Sequence, residues 1–506
     1  MTTLVSSNDL ERFRKVLGRR LGLRFADSAV AQLADVLGRR LKAFGQACGP
    51  YLAHLESNQP ARDELSMLAT ELTIGETYFF RNPDHFRALA EIAIPALMRA
   101  QHATRRLNVL AAGCSSGEEA YTLAIVLREN TSASWHVSIR AVDVNPAMIE
   151  KARRARYSAW SLRGTNPEVQ RRWFKQMDGE FSLDKAIGTA VVFEERNLAE
   201  DDADLWKADS YDIVFCRNVL MYFEPEVAQT VVMRIARSML PGGYLFLGHA
   251  ETLRNLSHDF HLEHTHDTFY YRRRASQEDR ARGPEVVAAL QPVPPLAAIV
   301  ERAQTWVEAI RSSSDRILEL TRSPTEPPAL AGPRQEKAGW DLRGSLELLQ
   351  KDQFGDAWES VQTLPPESAR DPEVLLLRAV LLTHSGQLEG AEAMCHELLE
   401  IDEFNSGAHY LLALCREGVG DRRAAVEQDQ IAVYLDPSFA MPRLHLGLIA
   451  RRAGDTVTAR REFGDALLLL QREDTSRLVL FGGGFGREAL IALCRAEIVG
   501  CGGRTP

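Results

Sequence analysis

The 506 residues are 45% hydrophobic and 25% charged. That is too long for one ordinary domain of roughly 150 residues, and the balance is that of a soluble chain able to bury a core. A net charge of −9 argues against a nucleic-acid coat or a polybasic membrane binder. No apolar run approaches the ~20 residues of a membrane helix, and the opening MTTLVSSNDLERF lacks the apolar centre of a signal peptide. The seven cysteines, Cys48, Cys114, Cys216, Cys395, Cys415, Cys494 and Cys501, form no CxxC pair. Neither a disulfide framework nor a structural zinc site is expected, and a reducing cytoplasm is.

Residues 1–75 read as a helical domain. Val30, Leu33, Val36, Leu37, Leu41 and Phe44 recur at helical spacing, Cys48-Gly49-Pro50 interrupts, and Tyr51–Leu55 restarts a helix. Residues 76–274 form the next domain, and within it 105–273 alternate short apolar runs with helical stretches, the pattern of a parallel sheet flanked by helices. The runs are Leu107–Ala112, Val137–Val142, Val191–Phe193, Ile213–Phe215 and Tyr244–Leu247. Phe269–Tyr271 follows closely enough to be an antiparallel partner strand. Residues 275–340 carry eight of the 22 prolines and read as a linker, with one amphipathic helix over Leu296–Thr321.

The remainder is periodic. Asp352, Gly386, Gly420 and Gly454 stand 34 residues apart, as do Ala357, Ala391, Ala425 and Ala459, and as do Ala379, Ala413 and Gly447. This period, with small residues where helices touch, predicts four tetratricopeptide repeats over 341–475 and a capping helix with a tail over 476–506. Residues 341–475 hold 13 Lys/Arg against 24 Asp/Glu, so the array is acidic.

Candidate site residues gather where the predicted strands end. Asn108–Ala112 runs into Gly113-Cys114-Ser115-Ser116-Gly117-Glu118-Glu119 and then a helical stretch. A glycine turn there admits a ligand close to the backbone, but this is not GxGxxG. Two acidic residues at a helix N-terminus repel a pyrophosphate and suit a cation, which points to the sulfonium and ammonium of S-adenosylmethionine. Alternatively, Glu118 and Glu119 only cap the helix. Asp143 ends the second strand, where a carboxylate accepts both hydroxyls of a ribose; the other reading makes it the cap of the helix that begins near Pro146. Asn197 and Leu198 follow the third strand and suit an adenine, and Arg217 and Asn218 follow the fourth. Cys114 and Cys216 have no histidine partner for nucleophilic catalysis and read as packing residues. His258, His261, His264 and His266 lack supporting carboxylates, so no metal is expected.

Five segments in order, LTIGETYFFRNPDHF, AAGCSSGEEAYTLA, AVDVNPAMIEKARRARY, DIVFCRNVLMYF and PGGYLFLGHAETL, resemble the CheR chemoreceptor methyltransferases over about residues 1–273. The resemblance implies a helical N-terminal domain, a class I S-adenosylmethionine-dependent α/β fold and a small β insertion. It implies cofactor contacts at Thr77, Arg81, one of Glu118 and Glu119, Asp143, Asn197, Leu198 and Asn218. Gly75 stands where the family often has Asn, so a side-chain contact is lost there. Arg81 and Tyr222 resemble the family's candidates for orienting the acceptor carboxylate; the alternatives are an interface ion pair for Arg81 and a half-buried aromatic for Tyr222. Arg39, Arg40 and Lys42 lie on a helix that in the family docks on acidic receptor helices, and otherwise form a solvated face. Between Phe174 and Asn197 the β insertion looks shorter than in members that grip a receptor's C-terminal peptide, which shifts targeting toward the repeats.

The expected activity is methylation of receptor glutamates, with the repeats recruiting a protein or peptide. Two other readings keep the same folds. One is an inactive methyltransferase-fold scaffold whose repeats bind protein; the other is a methyltransferase for a different carboxylate substrate.

Overall fold

The computed structural model describes residues 5–275 and 344–502, apart from 58–61, 74, 250, 267, 346–347, 350–353, 363, 365–367 and 484. The chain divides into two compact units, Met1–Gln277 and Glu278–Pro506. Most of the linker predicted over 275–340, and its helix over 296–321, lies outside the described residues.

The first unit opens with four helices: α1 (Ser7–Leu21), α2 (Val30–Phe44), α3 (Cys48–Glu56) and α4 (Arg62–Leu72). Ser6 and Asp9 form a reciprocal capping box that starts α1. Gly22 ends α1 with φ of 76°, and an added Cβ would press on Val227, Ala199 and Phe223. Only glycine suits both that conformation and that approach. The predicted stripe of α2 buries Leu33, Val36, Leu37 and Leu41, whereas Val30 is exposed.

After α5 (Pro83–Ala88) and α6 (Ile94–Ala100) comes the sheet. Its early elements are β1 (Arg106–Ala112), α7 (Glu118–Asn130), β2 (His136–Asp143) and α8 (Pro146–Arg154). A three-stranded insertion follows: β3 (Arg156–Tyr157), then α9 (Pro167–Trp173), β4 (Phe174–Met177) and β5 (Glu180–Leu183), in the order β3-β5-β4. The insertion therefore begins well before Phe174, because β3 pairs with β5 across the intervening helix. The chain returns through α10 (Lys185–Gly188) to β6 (Val191–Glu195), β7 (Tyr211–Cys216), α11 (Pro225–Ser238) and β8 (Met239–Leu247). Two further strands, β9 (Phe260–Thr265) and β10 (Thr268–Arg273), complete a seven-stranded sheet ordered β6-β2-β1-β7-β8-β10-β9. The predicted antiparallel strand is β10; the extra edge strand β9 takes up His261 and His264. His264 stacks on Phe269 at 4.3 Å and His266 pairs with Glu91 at 3.0 Å.

The central strands are apolar on both faces, as a sheet covered by helices requires, and β7 is buried at every position. Leu107, Val109, Ile139, Phe215 and Phe246 pack there with Leu123 and Ile125 of α7.

The second unit is an array of antiparallel helix pairs. Second helices begin at 354, 388, 422 and 456, and first helices at 372, 406 and 440, each 34 residues apart. The turns use Gly386, Gly420 and Gly454, all at positive φ. Ala391, Ala425 and Ala459 are fully buried, and a Cβ on Gly447 would lie 2.7 Å from the Phe463 ring. The period thus records two physical needs, a left-handed turn and a close helix contact.

Beyond the fourth pair stand two helices, Thr475–Phe481 and Arg487–Gly500, where one capping helix was expected. Arg487–Gly500 covers the last pair: Leu490, Leu493 and Cys494 join the array's core. Thr475–Phe481 turns back onto earlier first helices instead.

Candidate functional site

All five parallel strands end at one edge of the sheet, and the order reverses between β1 and β7. Chain crossing away in both directions leaves a crevice at that point. It holds a cavity of about 420 Å³, within the ~300–1,000 Å³ of small-molecule sites.

The β1–α7 loop forms its floor. Gly113 has φ of 78°, and a Cβ there would run into Val219 Cγ2, so no side chain fits. Glu119 lines the cavity, with its carboxyl pKa raised by burial against the opposing charge of Arg217. Glu118 does not line it. Its carboxylate turns into the core and accepts hydrogen bonds from Ser116 Oγ at 2.7 Å and Ser161 Oγ at 3.1 Å. Residues adjacent on a helix point about 100° apart, so the floor takes only one of the pair. The expectation for Glu118 is corrected accordingly.

Asp143 also lines the cavity. Its carboxylate accepts the backbone N–H groups of Ser115 and Asn145, each at 2.8 Å. Burial raises its pKa and those hydrogen bonds pull it back. The cap of α8 is Asn145, whose Oδ1 accepts from Ala147 and Met148. The helix-cap reading of Asp143 is therefore overturned, and its carboxylate ties two loops together at the cavity wall.

The end of β7 supplies Arg217 and Asn218. Arg217 is buried and forks: Nη1 meets Glu119 Oε2 at 3.0 Å, and Nη2 donates to Arg81 O at 2.7 Å and to Asn82 Oδ1. It locks the turn carrying Arg81 against the floor. Burial lowers its pKa, with Glu119 holding it up. The Arg81 guanidinium itself donates only to Glu76 O, at 3.2 Å, among the described residues and lines the cavity. Among the described residues no ion pair engages it. Tyr222 lines the mouth with 41% exposure, on a short turn whose carbonyl accepts Arg24 N–H at 2.7 Å.

Gly75, Thr77, Asn197 and Leu198 complete the set on the walls. A Cβ on Gly75 would sit 2.8 Å from Met148 Sδ and 3.2 Å from Ser115 Oγ, so that wall is bare backbone. Asn197 spends its side chain locally, donating to Arg20 O and accepting from Ala199 N. Leu21, Leu23 and Phe25, from the α1–α2 connection, close the cavity from the N-terminal side.

The three residues predicted for substrate docking separate. Arg40 binds Glu64 through two nitrogens at 2.9 and 2.6 Å, with Tyr51 on the same carboxylate, and its side chain is only 11% exposed. It is a buried strut rather than a docking cation, a correction that follows from α4 packing over this face of α2. Arg39 pairs with Glu71 at 2.8 Å but remains exposed, and Lys42 is exposed on α2.

Glu251 was missed. Its Oε2 accepts the N–H groups of Asn218 and Gly248, and its Oε1 those of Val219 and Met221. One buried carboxylate thereby shapes the loop leading to Tyr222. Its signal was an acid placed just beyond an apolar strand, in LFLGHAETL. The closing residues Leu21–Phe25 carried no signal, because their role exists only after docking. Cys114 and Cys216 are buried, which pushes both thiols well up. Among the described residues no group of three or more His, Cys, Asp or Glu is arranged to hold a metal, and no helix is long and apolar enough to cross a membrane.

Residues 75–269 match the family described as CheR methyltransferase, SAM binding domain. The chain is 30% identical over 272 residues to chemotaxis protein methyltransferase 1 of Pseudomonas aeruginosa, covering 52% of this chain and 97% of that one. It is 31% identical over 264 residues to the chemotaxis protein methyltransferase of Salmonella typhimurium, covering 51% and 88%. A third relative matches over both units: the probable biofilm formation methyltransferase WspC of Pseudomonas aeruginosa is 28% identical over 451 residues, covering 89% of this chain and 96% of that protein.

Proposed function

The chain belongs to the CheR methyltransferase family, and from that footing we propose that it esterifies glutamate side chains on the cytoplasmic helices of chemoreceptors, while its repeats recruit a protein partner. The observation that carries this is one cavity, at the topological switch point, walled by carboxylates, the Arg81 guanidinium and bare backbone together. S-adenosylmethionine is the family's cofactor, and the residues present fit it. Ser115 Oγ is buried at the wall with no hydrogen-bond partner among the described residues, and Gly75 leaves a cradle that a Cβ would fill. Asp143 suits the ribose diol, Glu119 and Thr77 the amino-acid end, and Asn197, Leu198 and Asn218 the adenine side. When bound, the cofactor supplies an electrophilic methyl on sulfur.

A glutamate acceptor is already ionised near neutral pH and needs no general base. The protein's task is to hold the acceptor carboxylate in line and keep water out. Arg81 and Tyr222, which both line the cavity, orient the carboxylate. Arg217 keeps the Arg81 turn in place, and Leu21, Leu23 and Phe25 exclude water.

The test is incubation with methyl-labelled S-adenosylmethionine and receptor cytoplasmic fragments. Base-labile label on receptor glutamates is expected. Base-stable label, or none from a protein that still binds S-adenosylhomocysteine, would overturn the assignment. Recruitment is tested separately, by receptor titration of residues 1–274 against the full chain. Equal rates at every concentration would sink it.

A further inference from the structure

The first helices of tetratricopeptide pairs share one face, where a partner segment is expected to bind. In this chain that face is already covered, by its own helix Thr475–Phe481. Phe481 packs between Tyr410 and Phe439, with ring centroids 5.9 and 5.1 Å away, and Tyr410 Oη donates to Phe481 O at 3.5 Å. A Cβ on Gly407 would lie 2.7 Å from the Phe481 ring, so that first helix is hollowed where the aromatic enters. Leu478 is buried in the same core, while Val479 and Leu480 pack against the cluster of Val374, Leu377 and Leu381. Arg477 lies 4.2 Å over the Phe439 ring and 3.1 Å from Asp436. The seven-residue helix thus touches the first helices Pro372–His384 and Ser406–Gly418 and the turn that leads into a third, at Asp436 and Phe439.

Its C-terminal tether is suited to release, whereas on the N-terminal side Glu473 is buried, accepting the Ala440 N–H at 2.8 Å and pairing with Arg477 at 3.3 Å. Glycine occupies four of the five positions 482–486, and a helix this short has little stability of its own. Val479 and Leu480 remain only partly buried.

We propose that this face is a binding site for a short amphipathic helix with an apolar stripe, an aromatic near its C-terminal end and a basic residue on its flank. Thr475–Phe481 is the resident occupant that such a partner displaces. The partner's chemistry is read from what the face already holds: an aromatic slot at Gly407, an apolar strip at Val374–Leu381, and Asp436 for a cation. This rests on the reading of the repeats as partner-binding and names what they bind.

The experiment uses the full chain and a fluorescein-labelled peptide of residues 472–482 as probe. Replacing 475–481 by an equal length of Gly-Ser should tighten probe binding at least tenfold over the unaltered chain. Absence of binding to the replaced protein, with the array still helical by circular dichroism, overturns the proposal. Because the replacement removes packing, hydrogen exchange on the unaltered chain gives a second readout. Amides of 475–481 should exchange faster than those of Thr456–Leu470, and excess probe should accelerate them while protecting Ser406–Gly418. Exchange of 475–481 only together with Thr456–Leu470 would overturn it. So would a concentration-dependent dimer abolished by the replacement, which assigns the helix to a second copy. Receptor titration is not used, so failure here is distinguishable from failure of recruitment.

Discussion

The two units lean on different partners to hold their best-connected carboxylates. In the catalytic unit two carboxylates at strand ends are held by backbone N–H groups, two on half-buried Asp143 and four on buried Glu251, while carboxylates on its helices, Glu64 and Glu118, meet side chains. In the repeats, helices consume most of their own backbone donors, so buried charges turn mainly to side chains, although Glu473 accepts the Ala440 N–H at a helix start. His445 is fully buried, with Nδ1 2.6 Å from Asp429 and Nε2 2.9 Å from Glu417, and Glu417 also meets Arg452. That network joins three helices of two successive pairs. Loops at a sheet edge can aim a carboxylate at a ligand while its other contacts are met; a helical array locks its carboxylates into packing. This is why the proposed chemistry lies in the first unit and recognition by shape in the second.

The largest expected effect tests the side-chain half of that contrast. His445→Leu strands Asp429 and Glu417 without their shared cation and should destabilise the array by about 3–5 kcal/mol, as breaking a buried pair does. Calorimetry of the full chain measures it, and a shift in the array's transition below ~1 kcal/mol would mean the network is neutral there.

The backbone-held half is tested at Asp143. Asp143→Ala should weaken S-adenosylhomocysteine binding at least ~10-fold, since two charge-assisted hydrogen bonds are together worth about 2–4 kcal/mol. Unchanged affinity by titration calorimetry in a folded variant would remove Asp143 from the ligand and leave it a loop tie.

Arg81 separates chemistry from packing. Arg81→Ala should lower the methylation rate about 10²-fold, the loss typical of one charge-orienting donor. Thermal stability should hardly move, because among the described residues the guanidinium makes one hydrogen bond, to Glu76 O, and a 6.0 Å approach to the Tyr78 ring. Tyr222→Phe removes a hydroxyl alone, and a loss below ~10-fold is expected. A rate unchanged in both variants would relocate the acceptor site.

The smallest expected effect is a pH dependence confined to the array. Burial alone would lower the His445 pKa, but Asp429 and Glu417 overcome it and raise it to about 9. Folding then binds a proton that an unfolded histidine releases near ~6.5. The stability is complete below that pH and is lost as pH climbs through 9. Asp429 acts in the same direction at lower pH, its pKa raised by burial to about 6. Glu417 opposes both, lowered by His445 and Arg452 against its own burial, and Glu462 adds negative charge near Asp429. The array's calorimetric transition should therefore move down between pH 7 and 9 in the unaltered chain and stay level in His445→Gln. Equal slopes in both would show that other groups carry the dependence.

Much of the site was legible because its residues follow strands. Gly113, Glu119, Asp143, Asn197 and Arg217 lie at successive strand ends, and a parallel sheet gathers such ends at one edge whatever else the chain does. What misled was local: Glu118 and Arg40 have the right chemistry in the right segment but point into the protein. A one-residue step on a helix, or a neighbouring helix laid across a face, decides direction, and neither is written in residue type.

Sequence alone determined the alternation of strands and helices, the 34-residue period with its turn glycines, and the carboxylates placed after strands. Each follows from periodicity or backbone freedom within a few residues of itself. Tertiary structure alone decided which of Glu118 and Glu119 meets the cavity, that the α1–α2 connection closes it, that Glu251 gathers four amides, and that Thr475–Phe481 fills the face of its own repeats. These depend on contacts between residues up to more than a hundred positions apart. Such contacts form through burial, which is non-directional, and so residue type alone does not identify the partner.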